Sequence, residues 1–167
     1  MGARAKATLQ CGILLGALAL AGCASFTQLS PGMSSRQVGA LVGAPTQVWK
    51  DADGSEVWEY PLGPFGVETY MVSFGPDRTV RQVRQVLTEE TITTLRVGMS
   101  RDDVRRLLGK PREIGNIDRT NEEVWSWRYR EWGVRNMELH VQFDRGSGTL
   151  KAYSRIQEQI SGSDKRS

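Results

Sequence analysis

Few side chains in this sequence could do chemistry, and the foremost is a thiol. The 167 residues hold two cysteines, Cys11 and Cys23, and one histidine, His140. Cys23 closes the run Leu20-Ala21-Gly22-Cys23. A thiol there is a nucleophile for group transfer. His140 lies in the alternating stretch Leu139-His140-Val141-Gln142-Phe143 with no second ligand nearby in sequence, so it reads as a satisfied surface histidine. Asp102-Asp103 sits where a helix should start, and acids there complement the helix dipole. Arg78, Arg81 and Arg84 could touch anionic lipid head groups, or guard an ordinary edge strand with charge. There is no metal-ligand cluster, phosphate loop or nucleophile–base pair, so no enzyme, metal site or cofactor is expected.

The sequence around the thiol sets its context. Met1–Lys6 carries Arg4 and Lys6 without an acid, and an apolar run from Cys11 to Ala21 follows. A basic head and a short apolar core ending in small residues is the layout of a secretory signal peptide. The run is short of the ~20 apolar residues a membrane-spanning helix needs. Leu20-Ala21-Gly22-Cys23 resembles the lipobox of bacterial lipoproteins. That resemblance implies cleavage before Cys23, diacylglyceryl attachment to its sulfur and acylation of its amine. Ala24, in place of Asp, then favours the outer membrane. The competing reading is an ordinary cleaved signal with an incidental Cys. Cleavage at that point would remove Cys11, and lipidation of Cys23 would then leave no thiol for a disulfide, a metal or catalysis. It would also cut the 22 basic residues to 20, against 19 acidic ones, so nothing argues for nucleic acid.

The elements behind these residues come from an internal repeat. Phe26–Val48 and Ile92–Ile114 align without a gap at a spacing of 66 residues. Thr27, Leu29, Gly32, Met33, Ser34, Val38, Leu41, Gly43 and Pro45 recur as Thr93, Leu95, Gly98, Met99, Ser100, Val104, Leu107, Gly109 and Pro111. Ser34 and Ser100 are good N-caps, with Gln37 and Asp103 at the capping-box position. Val38, Leu41, Val42 and their counterparts form an apolar stripe at helical spacing. Gly43 and Gly109 then fit a left-handed helix end, with Pro two residues on. A short preceding helix or turn is expected around Phe26/Leu29 and Ile92/Leu95.

Downstream the period changes to two. Val57–Tyr60 corresponds to Val124–Tyr129, followed by Tyr70–Phe74 and Leu139–Phe143, then by strands near Thr79–Leu87 and Leu150–Gln157. An extra short strand is expected near Gln47–Lys50. The fold class is therefore α+β: two tandem ααβββ repeats, each with two short helices on a small antiparallel sheet. The expected divisions are 1–22 signal, 23–25 tether, 26–90 repeat 1, 91–160 repeat 2 and 161–167 a polar tail.

Gly-Met-Ser, an apolar helix, Leu-x-Gly-x-Pro, a Trp-rich strand and a strand ending in Phe resemble the SmpA/OmlA (BamE-like) lipoprotein domain. In repeat 2 the likeness lies on Gly98, Met99, Ser100, Val104, Leu108, Gly109, Pro111, Trp125, Trp127, Val141 and Phe143. In repeat 1 it lies on Gly32, Met33, Ser34, Val38, Val42, Gly43, Pro45, Trp58, Tyr60 and Phe74. The resemblance implies an outer-membrane-anchored, periplasm-facing scaffold in envelope assembly, with envelope proteins or the β-barrel assembly machinery as partners. That family carries one such domain, and this chain two. The tandem also resembles the β-lactamase inhibitory proteins, whose repeats form one concave sheet, which implies an inhibitor or small-ligand binder as the alternative.

Trp58, Tyr60, Trp125, Trp127 and Tyr129 are spaced to face the helices as core. Phe65, Trp132 and Trp49 are assigned to turns; Phe65 and Trp132, at hairpin tips, are candidate partner contacts, since aromatics commonly anchor interfaces. The outward face should show Glu59, Ser126, Arg128, Glu138, His140 and Gln142. Arg128 and His140 are the candidate contacts there.

Overall fold

Each repeat opens on a reciprocal cap. In the computed structural model, which describes residues 26–63 and 66–158, Ser34 starts helix α1 (Ser35–Val42) and Ser100 starts α3 (Arg101–Leu108). The Gln37 amide donates to Ser34 Oγ, and Gln37 Oε1 accepts from the Ser34 amide at 2.8 Å. Asp103, despite its shorter side chain, closes the same box on Ser100 at 3.0 Å. Bonding from Ser100 holds the Asp103 carboxyl below the usual carboxylate range. The segments ahead of these helices are the short helix or turn expected there. In repeat 1 there is a 3-10 turn at Phe26–Gln28. In repeat 2 a four-residue helix α2 (Glu89–Ile92) begins two residues before the expected repeat start.

The Gly-Met-Ser motif has a second task. Gly32 N donates to Val80 O and Val80 N to Met33 O; Gly98, Met99 and Leu150 repeat the pattern. The motif is thus stitched to the start of the last strand of its own repeat, which presses the helix onto the sheet.

The helix ends correct one expectation. Gly43 and Gly109 have positive φ (83° and 79°), but their ψ values of −169° and −168° are extended rather than left-handed helical. This corner of backbone space is essentially reserved for glycine. Each glycine's carbonyl is also used: Gly43 O accepts the Tyr60 hydroxyl at 3.2 Å and Gly109 O the Trp127 indole N–H at 3.1 Å. These aromatics occupy matching places in the two repeats.

Each sheet has four antiparallel strands, one more than the basic repeat predicted. Sheet 1 runs β1 (Gln47–Lys50), β2 (Glu56–Pro61), β3 (Thr69–Phe74), β4 (Val80–Gln85). Sheet 2 runs β5 (Glu113–Ile117), β6 (Glu122–Glu131), β7 (Arg135–Asp144), β8 (Leu150–Gln157). Among the described residues no strand joins the two sheets, and they do not make one continuous sheet. β1 is the extra short strand expected at Gln47–Lys50, and Trp49 lies on it opposite Val57 rather than in a turn.

The inward faces are those expected. Val38, Tyr60, Val72, Phe74 and Val80 form the repeat 1 core, with Trp58 packed against it. Val104, Leu108, Trp125, Trp127, Tyr129, Leu139, Val141 and Phe143 form that of repeat 2. Leu87, from the junction, joins the second core.

Two predictions follow from the helix ends. A Cβ on Gly43 would meet nothing within 4 Å, whereas one on Gly109 would meet Thr69 Cγ2 at 2.6 Å. Gly43→Ala should therefore cost about 1–3 kcal/mol of backbone strain, and Gly109→Ala clearly more; urea denaturation of both variants measures the order. Burial pushes the Tyr60 hydroxyl up to about 12, while in an unfolded chain it ionises near pH ~10. Its contribution is complete below about pH 10 and lost as pH rises towards 12. Stability measured across that window should fall less steeply for Tyr60→Phe.

Candidate functional site

The outward faces of the two sheets meet different fates. On sheet 1, Glu59 was expected in water, yet its side chain is 0% exposed. Helix α3 of repeat 2 covers it. Arg105 Nη2 and Nε donate to the two Glu59 oxygens at 3.2 and 3.3 Å, and the Lys110 backbone N–H donates to Oε1 at 2.7 Å. Burying a carboxylate is costly unless it is paired and hydrogen-bonded, and Glu59 is both. Around it, Arg106 lies 4.8 Å from the Trp49 ring centroid and reaches Asp51 at 3.4 Å. Helix α3 therefore works on two sides. Val104 and Leu108 face sheet 2, and Arg105 and Arg106 hold sheet 1.

Sheet 2 keeps its outward face. Ser126, which stands where repeat 1 has Glu59, is only 7% exposed, flanked in register by Glu113 and His140. It too departs from the solvated position expected of it. Beside it a charge network spreads over β6, β7 and the segments just before β5 and just after β8. Arg112 Nη1 reaches Glu138 Oε1 at 3.3 Å, and His140 Nε2 lies 3.5 Å from Glu138 Oε2. The Arg128 guanidinium bonds both oxygens of Glu158, through Nη2 at 2.6 Å and through Nε. That bonding holds the Glu158 carboxyl below its usual value and pushes the Arg128 guanidinium up. Arg128 and His140 thus do share one face, half-buried rather than free.

At the edge of this face, between the repeats, lies a cleft of about 240 Å³. Pro61, Leu87, Pro111 and Trp127 give it apolar walls, and Lys110, Arg112 and Arg128 a basic rim. Sequence reasoning missed it, because its walls come from both repeats and the turn between them. Trp132 is elsewhere, at the tip of the β6–β7 hairpin, and is 77% exposed. Cys23 and Phe65 lie outside the described residues. Among the described residues no group of three or more His, Cys, Asp or Glu side chains could hold a metal, and no helix is long and apolar enough to cross a membrane. What the face offers is a set of exchangeable ion pairs beside an apolar cleft, which suits recognition of another macromolecule.

The fold is a tandem α+β module with two four-stranded sheets, one of which keeps an open outward face. Residues 85–148, most of repeat 2, match the family model described as the outer membrane protein assembly factor BamE domain. The expected resemblance is thereby shown for the second repeat. A search of curated proteins finds no match. Solved structures similar to this chain include an extracellular protein containing an SCP domain from Bacillus anthracis str. Ames, at 14% identity and TM-score 0.29. That match covers 76% of this chain, which spans only 44% of the other. A candidate β-lactamase inhibitor protein from Streptococcus mutans is 18% identical, with 77% and 85% of the two chains covered and a TM-score of 0.31. A DUF4309 family protein from Bacillus subtilis subsp. subtilis str. 168 is 17% identical, with 75% and 78% covered and a TM-score of 0.28.

The junction can be tested by removing either partner. Arg105→Ala leaves the Glu59 carboxylate buried with only its amide donor, whereas Glu59→Ala leaves a guanidinium that is 23% exposed. Breaking a buried pair in this way costs about 3–5 kcal/mol. Arg105→Ala should be the worse of the two in chemical denaturation; the reverse order would mean that Glu59 is not the stranded charge.

Proposed function

We propose that this protein is an outer-membrane-anchored lipoprotein, facing the periplasm, that acts as a protein-interaction scaffold in envelope assembly. The observation that carries the reading is the BamE-domain match over residues 85–148. The lipobox-like Leu20-Ala21-Gly22-Cys23 agrees with it, placing the thiol that would carry the lipid three residues before Phe26. Envelope proteins, foremost the machinery that inserts β-barrels, are the proposed partners. The proposed contact is the open face of sheet 2, around Arg128 and His140. No catalytic role, metal or cofactor is proposed.

The geometry supports sheet 2 over sheet 1 as that contact. Helix α3 already fills the back of sheet 1 through Glu59, so a partner would have to displace a buried ion pair there. On sheet 2 the Arg112–Glu138 and Arg128–Glu158 pairs are partly solvated and can exchange partners. Such charged rims contribute more to specificity and encounter rate than to affinity. The sheet-1 face therefore gives no support to an inhibitor or small-ligand reading.

Affinity capture from detergent-solubilised envelope tests the proposal. The wild-type chain should recover components of the β-barrel insertion machinery, and Arg128→Glu combined with His140→Glu should reduce that recovery several-fold. Repeated recovery of no envelope protein would remove the scaffold reading. Cys23→Ala should move the protein from the membrane to the soluble fraction; unchanged fractionation would remove the anchor.

A further inference from the structure

The β6–β7 hairpin ends in an unusual turn. Val134 N donates to Glu131 O at 3.1 Å, and the two residues between have positive φ, Trp132 at 51° and Gly133 at 73°. Hairpin turns of this hand favour Asn, Asp or Gly at such positions. A bulky aromatic there is a backbone outlier, and strain of this kind points to a function of the side chain. Trp132 gains nothing from the fold in return. It is 77% exposed, and no aromatic, cation–π or hydrogen-bond contact holds its indole among the described residues. Val134 beside it is 84% exposed, and Arg130 and Arg135 flank the pair.

The position of this tip on the molecule suggests what it meets. Phe26 stacks on Tyr70 at 4.3 Å, and Tyr70 pairs with Tyr60 and Gln85 at one end of sheet 1. That end adjoins the tip: Gln85, Leu87 and Glu68 line the same cavity, about 370 Å³, as Trp132 and Gly133. Phe26, the first described residue after Cys23, therefore lies at the tip end. Three residues reach ~10 Å at most, so a lipid on Cys23 would hold this end against the bilayer.

We propose that the Trp132–Val134 tip inserts into the phospholipid interface as a second membrane contact, fixing the orientation of the tethered domain. The inference rests on the lipid-anchor reading for its direction. An indole with an apolar body and one N–H suits the head-group layer. The several acyl chains implied at Cys23 already anchor stably, so an inserting tip would add orientation rather than affinity. Because the insertion is apolar, it needs no anionic lipid. Val97, 75% exposed, belongs to the opposite end, where Gly98 bonds Leu150 at the far end of sheet 2. It should stay in water.

The test is made independent of natural processing. The chain from Cys23 onward has a single thiol, which can be coupled to a maleimide lipid in phosphatidylcholine vesicles whose acyl chains are brominated near the head group. Bromine should quench wild-type tryptophan fluorescence, and Trp132→Phe should abolish the quenched component while leaving the other four tryptophans unaffected. Val134→Ser should reduce that component, and Val97→Ser should not change it. Equal quenching in wild type and Trp132→Phe would overturn the proposal and leave the tip as a protein-docking element. The anchor reading is judged separately, by the intact mass of the chain extracted from cell membranes. An unacylated Cys23 would sink that reading whatever the vesicles show.

Discussion

The whole arrangement hangs on one buried carboxylate. Glu59 lies on the outward side of β2, where an isolated repeat would leave it in water. In the tandem it has no exposed side-chain surface and accepts from Arg105 and from the Lys110 amide. A charge in that position is tolerable only with its partners in place, so it fixes where repeat 2 can sit. The amide at Lys110 is oriented by the glycine that ends α3, and that glycine lies so close to Thr69 that no side chain would fit. Helix end, ion pair and sheet contact are one constraint seen from three sides.

That constraint makes a duplicated sequence into an asymmetric molecule. Where α3 has Arg105 and Arg106, α1 has Gly39 and Ala40, and where β2 has Glu59, β6 has Ser126. Among the described residues α3 is the helix that donates and sheet 1 the sheet that accepts. The back of sheet 1 becomes an internal surface, and that of sheet 2 stays open with its ion pairs half in water. The repeats share one fold, and the differences at Gly39/Arg105, Ala40/Arg106 and Glu59/Ser126 give them their separate roles.

Much of this was legible in the sequence for local reasons. Caps, apolar stripes and alternating strands are set by neighbours within a few residues, and Ser34, Ser100, Trp127 and Phe143 lie where those patterns put them. What was not legible depends on contacts between distant segments. Glu59 alternates with Trp58 and Tyr60 as any solvated residue would, and only the approach of Arg105, 46 positions away, reverses its environment. Trp49 gave no sign that an arginine would cover it, since that arginine comes from the other repeat. The glycine ends were recognised as special, but which positive-φ conformation they adopt is decided by the carbonyl's partner, Tyr60 or Trp127. The open face was read correctly at Arg128 and His140 and wrongly at Ser126, because sheet register shields the short side chain between longer ones.

The open face and the tethered end have a fixed relation to each other. The strands of sheet 2 run from the Trp132 tip towards Asp144 and Leu150, and ten residues of β7 span roughly 30 Å. If the tip end meets the bilayer, these strands stand up from it and the face carrying Arg128 and His140 points sideways, parallel to the membrane. A face so turned meets proteins that stand in the same membrane. The same carboxylate that closes sheet 1 thus leaves sheet 2 as the side on which a membrane-embedded neighbour can be held.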